Sequence, residues 1–203
     1  MVLKLLQEAK PCTVLEIGAH VGQDTGELWL ASGAEKSRYL AIEPDPRNAD
    51  EFRKVHGPKQ LRFIEAAIAD RNGLAVYSGS YPYTGSGSLK KPVEHLSTFP
   101  EVSFSSEFRT TVVTITLDEI VEKFGLTKID LIWADVQGSE DLMISGGQKA
   151  LSMTRWLHTE FYDSEVYEGQ LGKEEIQKRL PGEWKLVETW QNDALFENKS
   201  LTQ

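Results

Sequence analysis

Acidic side chains recur in this sequence where a folded chain would bring them together. Glu16 precedes a glycine-bearing turn, Gly18-Ala19-His20-Val21-Gly22, while Glu43 and Asp70 each close a short apolar run. Carboxylates at the carboxyl ends of successive strands meet at one rim of a sheet, where they attract a cationic or hydroxyl-bearing ligand. A second group lies downstream: Asp135 after an apolar run, Glu140 in the first turn of a helix, and His158 with Glu160 two residues apart. Residues spaced by two share a strand face, so His158 and Glu160 would present to the same cleft. Such groups take and return protons. Asp135 is the first candidate for a catalytic base or acceptor-orienting group, with Glu160 and His158 as further catalytic candidates. Glu140 is a candidate acceptor-binding residue, although a helix dipole alone would favour a carboxylate there. Asp135, Glu160 and Asp163 have the oxygens to hold a divalent cation, but nothing in their spacing demands one.

These side chains need a scaffold, and the pattern of apolar runs supplies it. Strands are predicted at Val14–Ile17, Tyr39–Ile42, Leu61–Ile68, Leu74–Tyr77, Thr111–Ile115, Ile129–Ala134, Trp156–Phe161, Trp184–Thr189 and Ala194–Phe196. Helices are predicted over 1–10, 23–32, 46–56, 117–124, from Ser139 to Gly146-Gly147, and over 172–180. Strands separated by helix-sized segments imply right-handed crossovers and a parallel sheet. The expected fold is therefore α/β: a doubly wound, Rossmann-like single domain over 1–203, ending in an antiparallel hairpin. Residues 79–109, with "SGSYPYTGSGSLKKP" near their start, read as a long insertion: a lid, a binding loop or a solvated excursion. Tyr81, Tyr83, Ser86 and Ser88 in it are candidates for shaping an acceptor pocket.

The opening turn decides among ligands. A P-loop is excluded, because no Lys-Ser or Lys-Thr pair follows the glycines. A nicotinamide site gains support from Glu43, 21 residues beyond Gly22, where an acid would bond a ribose hydroxyl. It loses support at His20, which stands where a pyrophosphate needs glycine, and at Glu16, which would repel that pyrophosphate. S-adenosylmethionine carries an ammonium and a sulfonium and no phosphate, so it suits this rim. Glu16 would then serve the ammonium, Glu43 the ribose and Asp70 the adenine, with Gly18, His20, Gly22 and Asp135 completing the cofactor site. A nicotinamide-dependent oxidoreductase and a cofactor-binding module without turnover are the competing classes.

Composition bounds the partners. A net charge of −9 argues against nucleic acid, whose binding depends on neutralising phosphates. No apolar run reaches the length of a membrane span, and the N-terminal residues read as an amphipathic helix rather than a signal peptide. The single cysteine, Cys12, precedes a strand and reads as a buried thiol, which gives a cytoplasmic location as the default. An exposed sheet edge or the tryptophan-bearing hairpin leaves a homodimer open.

The segments "VLEIGAHVGQDT", "YLAIEPDP", "AAIADRNG", "TITLDEIVEKFGLTKIDLIWADVQGSEDLMISGG" and "LHTEF" resemble, in this order, the FkbM family of S-adenosylmethionine-dependent methyltransferases. The resemblance spans Val14 to Phe161 and is most specific at Thr116–Glu119, Ile129–Ile132 and Asp135–Glu140. It implies a seven-stranded class I methyltransferase fold. It also implies methyl transfer to a hydroxyl of a sugar, polyketide or other small metabolite. Family members often carry Asn at the place of His20, Lys at that of Trp133 and Glu at that of Gln137.

Overall fold

The computed structural model describes residues 1–59 and 61–201. Its centre is a seven-stranded sheet in the order β3-β2-β1-β7-β8-β10-β9. The strands are β1 (Thr13–Ile17), β2 (Arg38–Ile42), β3 (Arg62–Ile64), β7 (Ile129–Ala134), β8 (Thr154–Glu160), β9 (Trp184–Trp190) and β10 (Asp193–Asn198). Six strands run in one direction, and β10 alone is reversed, pairing antiparallel with both β8 and β9. The strand order reverses between β1 and β7, which opens a crevice at their carboxyl ends.

Both faces of this sheet are apolar and covered. Leu15, Ile17, Leu40, Ile42, Ile132 and Leu157 pack against α5 (Leu117–Phe124), α6 (Glu140–Ser145), α7 (Gln148–Ser152) and α8 (Lys173–Arg179). The opposite face sets Val14, Tyr39, Ala41, Leu131 and Trp156 against α1 (Val2–Ala9), α2 (Thr25–Ser32) and Phe52 of α3 (Pro46–His56). The helix starts follow local chemistry. Asp45 caps α3 by accepting the Arg47 N–H at 2.9 Å, with Pro46 at the first helical position. Thr116 caps α5 by accepting the Glu119 N–H at 3.1 Å, and Gly125 ends that helix in the left-handed region at φ +57°.

The middle of the chain departs from the expected arrangement. The predicted strand Leu61–Ile68 is two: β3 joins the main sheet, and β4 (Ala67–Ile68) leaves it. With β5 (Gly73–Ser78) and β6 (Arg109–Ile115), β4 forms a separate three-stranded sheet in the order β4-β6-β5. Its inner side packs Ala67, Tyr77 and Val112, and its outer side exposes Leu74, Val76 and Val113. The helix expected from Ser139 to Gly146-Gly147 is present as α6, and a further short helix that the sequence reading did not include, α7, follows the two glycines.

The insertion between β5 and β6 is ordered rather than a solvated excursion. Ser78 and Ser88 exchange backbone hydrogen bonds at 2.9 and 3.0 Å, as do Tyr81 and Ser103 at 2.9 and 2.7 Å. A short helix, α4 (His95–Thr98), buries His95 against Phe99, Phe104 and Tyr167. Among the described residues no helix is long and apolar enough to cross a membrane.

Candidate functional site

A cleft of about 630 Å³ opens at the carboxyl ends of β1, β2 and β7, with the small sheet and the insertion as its roof. Glu16, Asp24, Glu43 and Asp135 line it, and among the described residues no Lys or Arg does.

Its floor is the turn after β1. The N–H groups of Gly18 and Ala19 donate to the Ile42 carbonyl at 2.9 and 3.0 Å, and Asp135 N–H donates to the Ile17 carbonyl at 2.9 Å. Gly18 adopts φ +77°, and a Cβ there would lie 1.8 Å from the Asp135 carbonyl oxygen. Only glycine lets the two chain segments approach so closely. Gly22, at φ +87°, plays a different part from the cofactor contact expected of it. It lies against His56 of α3, whose Nε2 is 2.9 Å from its carbonyl oxygen, and it does not line the cleft.

The two floor carboxylates are buried and satisfied. Glu16 accepts hydrogen bonds from the hydroxyls of Thr25, at 2.7 Å, and Tyr39, at 2.8 Å. Glu43 accepts from the N–H groups of His20 and Asp45 at 2.9 and 2.8 Å, and from the Asn48 amide at 3.2 Å. Burial nevertheless pushes both up to about 7. Each therefore gains from a cation or hydroxyl arriving in the cleft. His20 is held at φ +52°. Its Nε2 is 2.7 Å from the Thr84 hydroxyl, which ties the floor turn to the insertion.

Asp70 does not reach this site. It is exposed, 3.8 Å from Arg71, because the Ala69 N–H bonds to the Ile115 carbonyl and carries the chain along the small sheet. The cleft is lined instead by Ala66, Ala67 and Ile68, an apolar wall just upstream.

At the far end Asp135 and Glu160 come together. One side-chain nitrogen of Gln137 donates to Asp135 Oδ1 at 2.5 Å and to Glu160 Oε2 at 2.9 Å. The Tyr162 hydroxyl donates to Glu160 Oε1 at 2.8 Å. The Tyr167 hydroxyl lies 2.9 Å from Gln137 Oε1, so the amide nitrogen of Gln137 faces the carboxylates. Burial raises Asp135 above the usual carboxylate range, against hydrogen bonding by Gln137 and the charge of His20. Burial, then the charge of Asp135, pushes Glu160 up to about 8. Two half-buried carboxylates bonded to one amide nitrogen favour holding one proton between them.

The other candidates occupy different places. Ser88 donates to the Gln137 carbonyl at 2.6 Å, and the Ser86 carbonyl lies 2.7 Å from the Tyr167 hydroxyl. These serines brace the loop of Gln137 and do not line the cleft. Tyr83 lines it and is exposed, whereas Tyr81 is exposed and stacks on Phe108 away from it. Glu140 is fully buried and does not line the cleft; its carboxylate oxygens make no well-formed hydrogen bond, and burial, against the nearby backbone N–H groups of Gly138 and Glu140, pushes it up to about 8. His158 lies behind the cleft. Its ring stacks on Trp133 at 3.6 Å, and burial pushes it down to about 3, which leaves it a poor base. Asp163 is exposed, and among the described residues no His, Cys, Asp and Glu cluster is arranged for a metal ion. Asp24, Asn48 and Tyr167 are site residues that the sequence alone did not single out, and Trp133 and Gln137 were marked only as departures from the family pattern. The run Asp135-Val136-Gln137-Gly138 held a signal for one of them: a polar residue before glycine, in a turn that closes a strand.

A reversed-order parallel sheet with an acid-rimmed cleft at the switch point, lined among the described residues by no Lys or Arg, is the arrangement of a class I S-adenosylmethionine-dependent methyltransferase. The chain belongs to the FkbM methyltransferase family: the family model described as "Methyltransferase FkbM domain" matches residues 16–196. It is 36% identical over 214 residues to "2-O-methyltransferase NoeI" of Sinorhizobium fredii, a match covering 98% of this chain and 84% of that protein. Among solved structures it resembles methyltransferase FkbM of Methylobacillus flagellatus, with a TM-score of 0.57 at 16% identity. That match covers 92% of this chain and 43% of the other, so the chain spans less than half of that protein's length. It also resembles magnesium protoporphyrin IX methyltransferase of Synechocystis with bound cofactor, with a TM-score of 0.54 at 13% identity, covering 98% and 76% of the two chains. At these identities the structural likenesses establish the fold alone.

Proposed function

We propose that this methyltransferase methylates a hydroxyl of a sugar or another small hydroxylated metabolite, with Asp135 receiving the acceptor proton. The residues fit the cofactor on three grounds: the rim is acidic and, among the described residues, holds no Lys or Arg, Gly18 leaves the floor backbone bare, and Ala66–Ile68 offer an apolar wall. Glu16 and Asp24 would hold the ammonium, Glu43 and Asn48 the ribose hydroxyls, and Ala66–Ile68 the adenine. Bound S-adenosylmethionine supplies a methyl group on a sulfonium, a leaving group activated by its own charge.

The chain's own task is to align an acceptor hydroxyl and take its proton. The observation that carries the reading is the Asp135–Gln137–Glu160 bridge at the inner end of the cleft. Burial makes ionised Asp135 a stronger base than a solvent-exposed aspartate, while hydrogen bonding by the Gln137 amide keeps it aimed and moderates that rise. The relative named as a 2-O-methyltransferase supports oxygen as the methylated atom.

Asp135→Asn is expected to bind S-adenosylhomocysteine in calorimetry with nearly unchanged affinity. Its turnover on a panel of hydroxylated glycosides should fall by at least ~100-fold. Undiminished turnover by this variant would remove Asp135 from the mechanism.

A further inference from the structure

Trp133 lines the cleft, yet neither proton transfer nor the acid rim involves it. It stands on β7 between two register partners, Glu16 on β1 and His158 on β8, all three on one face of the sheet. On the β8 side the imidazole of His158 covers one face of the indole, with ring centroids 3.6 Å apart and planes 7° from parallel. Trp190 packs behind that imidazole at 5.2 Å. The indole plane is thereby fixed, and its second face is left toward the β1 side, where Glu16 sits on the cleft floor.

An indole face carries negative potential and attracts cations. We propose that this face of Trp133 and the carboxylate of Glu16 together seat the positively charged methionyl end of the cofactor. Trp133 is then a cofactor-binding residue, and His158 a buttress that holds its plane. The proposal rests on the S-adenosylmethionine reading of the cleft. Asp24 adds negative charge on the same side, and among the described residues no Lys or Arg in the cleft lining competes for that charge. A lysine at this place would stand beside Glu16 and neutralise it; tryptophan leaves the carboxylate for the ligand while adding attraction of its own.

The test compares three ligands by calorimetry: S-adenosylmethionine, S-adenosylhomocysteine and 5′-methylthioadenosine. The last keeps the adenosyl group and the sulfur but lacks the ammonium. Trp133→Leu is expected to weaken the first two by about 10-fold and the third by less than about 2-fold. Trp133→Phe, which keeps an aromatic face, should restore most of the affinity. Quenching of tryptophan emission by the first two ligands, present in the unsubstituted chain and lost in Trp133→Phe, gives a second readout that holds even if Trp133→Leu does not fold. Equal weakening of all three ligands, no weakening at all, or quenching that persists in Trp133→Phe overturns the seat. If the unsubstituted chain binds neither of the first two ligands, the cofactor reading itself fails, before any substitution is made.

Discussion

Gly18→Ala is the sharpest single perturbation of this fold. Gly18 adopts φ +77°, and an alanine held there pays about 1–2 kcal/mol for the left-handed backbone. Steric conflict adds to that. The new Cβ would meet the Asp135 carbonyl oxygen at 1.8 Å, where ordinary contact begins at 3.4 Å, so roughly 1.6 Å of movement is needed. The atom in the way is backbone, pinned by the Asp135 N–H bond to the Ile17 carbonyl, and it can move only by parting β1 from β7. Overpacking of this kind costs about 1–3 kcal/mol, giving a total destabilisation of about 2–5 kcal/mol. Urea unfolding measures it, and calorimetry with S-adenosylhomocysteine measures the damage to the floor. Gly26→Ala is the control: nothing lies within 4 Å of its Cβ position in α2, and it should gain up to about 1 kcal/mol. A Gly18→Ala chain as stable as the unsubstituted one, with unchanged ligand affinity, would refute the reasoning from close approach.

Glu140→Gln should be more stable than the unsubstituted chain at pH 9 and should lose that advantage at pH 5. Glu140 ionises near 4.5 when unfolded and only at about 8 when folded, so its favourable contribution is complete at low pH and drains away as pH rises through that interval. Thermal unfolding at the two pH values checks this, and an advantage at pH 5 equal to that at pH 9 would count against a buried carboxyl. Tyr167→Phe removes a hydroxyl held between Gln137 and the Ser86 carbonyl and should cost about 1–3 kcal/mol in urea unfolding. Its turnover should fall while S-adenosylhomocysteine binding persists; full turnover would show that Gln137 keeps its orientation without help.

Much of this scaffold can be read from local chemistry. The helices predicted over 46–56 and 117–124 are kept as α3 and α5, each opened by a capping side chain, Asp45 and Thr116. The apolar runs at Val14–Ile17, Tyr39–Ile42 and Ile129–Ala134 placed the three strands that carry the cleft. Periodicity does not say which sheet a strand joins. The run Leu61–Ile68 therefore hid the step between two sheets, and Asp70 was assigned to a rim that its strand does not reach. Asp135 and Glu160 stood out as acids after strands. Gln137 and Tyr167 act through one another across 30 residues, and no local pattern records that contact. His158 misled for a related reason: its spacing from Glu160 correctly gave a shared face, but burial behind Trp133 depends on packing against β7.

Among the described residues the small sheet shares no strand pairing with the large one. The two sheets keep separate strand ladders, and the insertion is joined to the large-sheet layer by side-chain clasps such as His20 with Thr84 and Ser88 with Gln137, and by backbone bonds of Val93 and Lys91 to Val166 and Glu168 after β8. Residues added, removed or exchanged between β5 and β6 leave the seven-strand ladder intact. On the proposed reading, changes confined to the exposed, cleft-lining Tyr83 and its neighbours Thr84 and Gly85 would retune the acceptor pocket, whereas the buried Ser88 and His95 hold the remainder of the insertion to the fold.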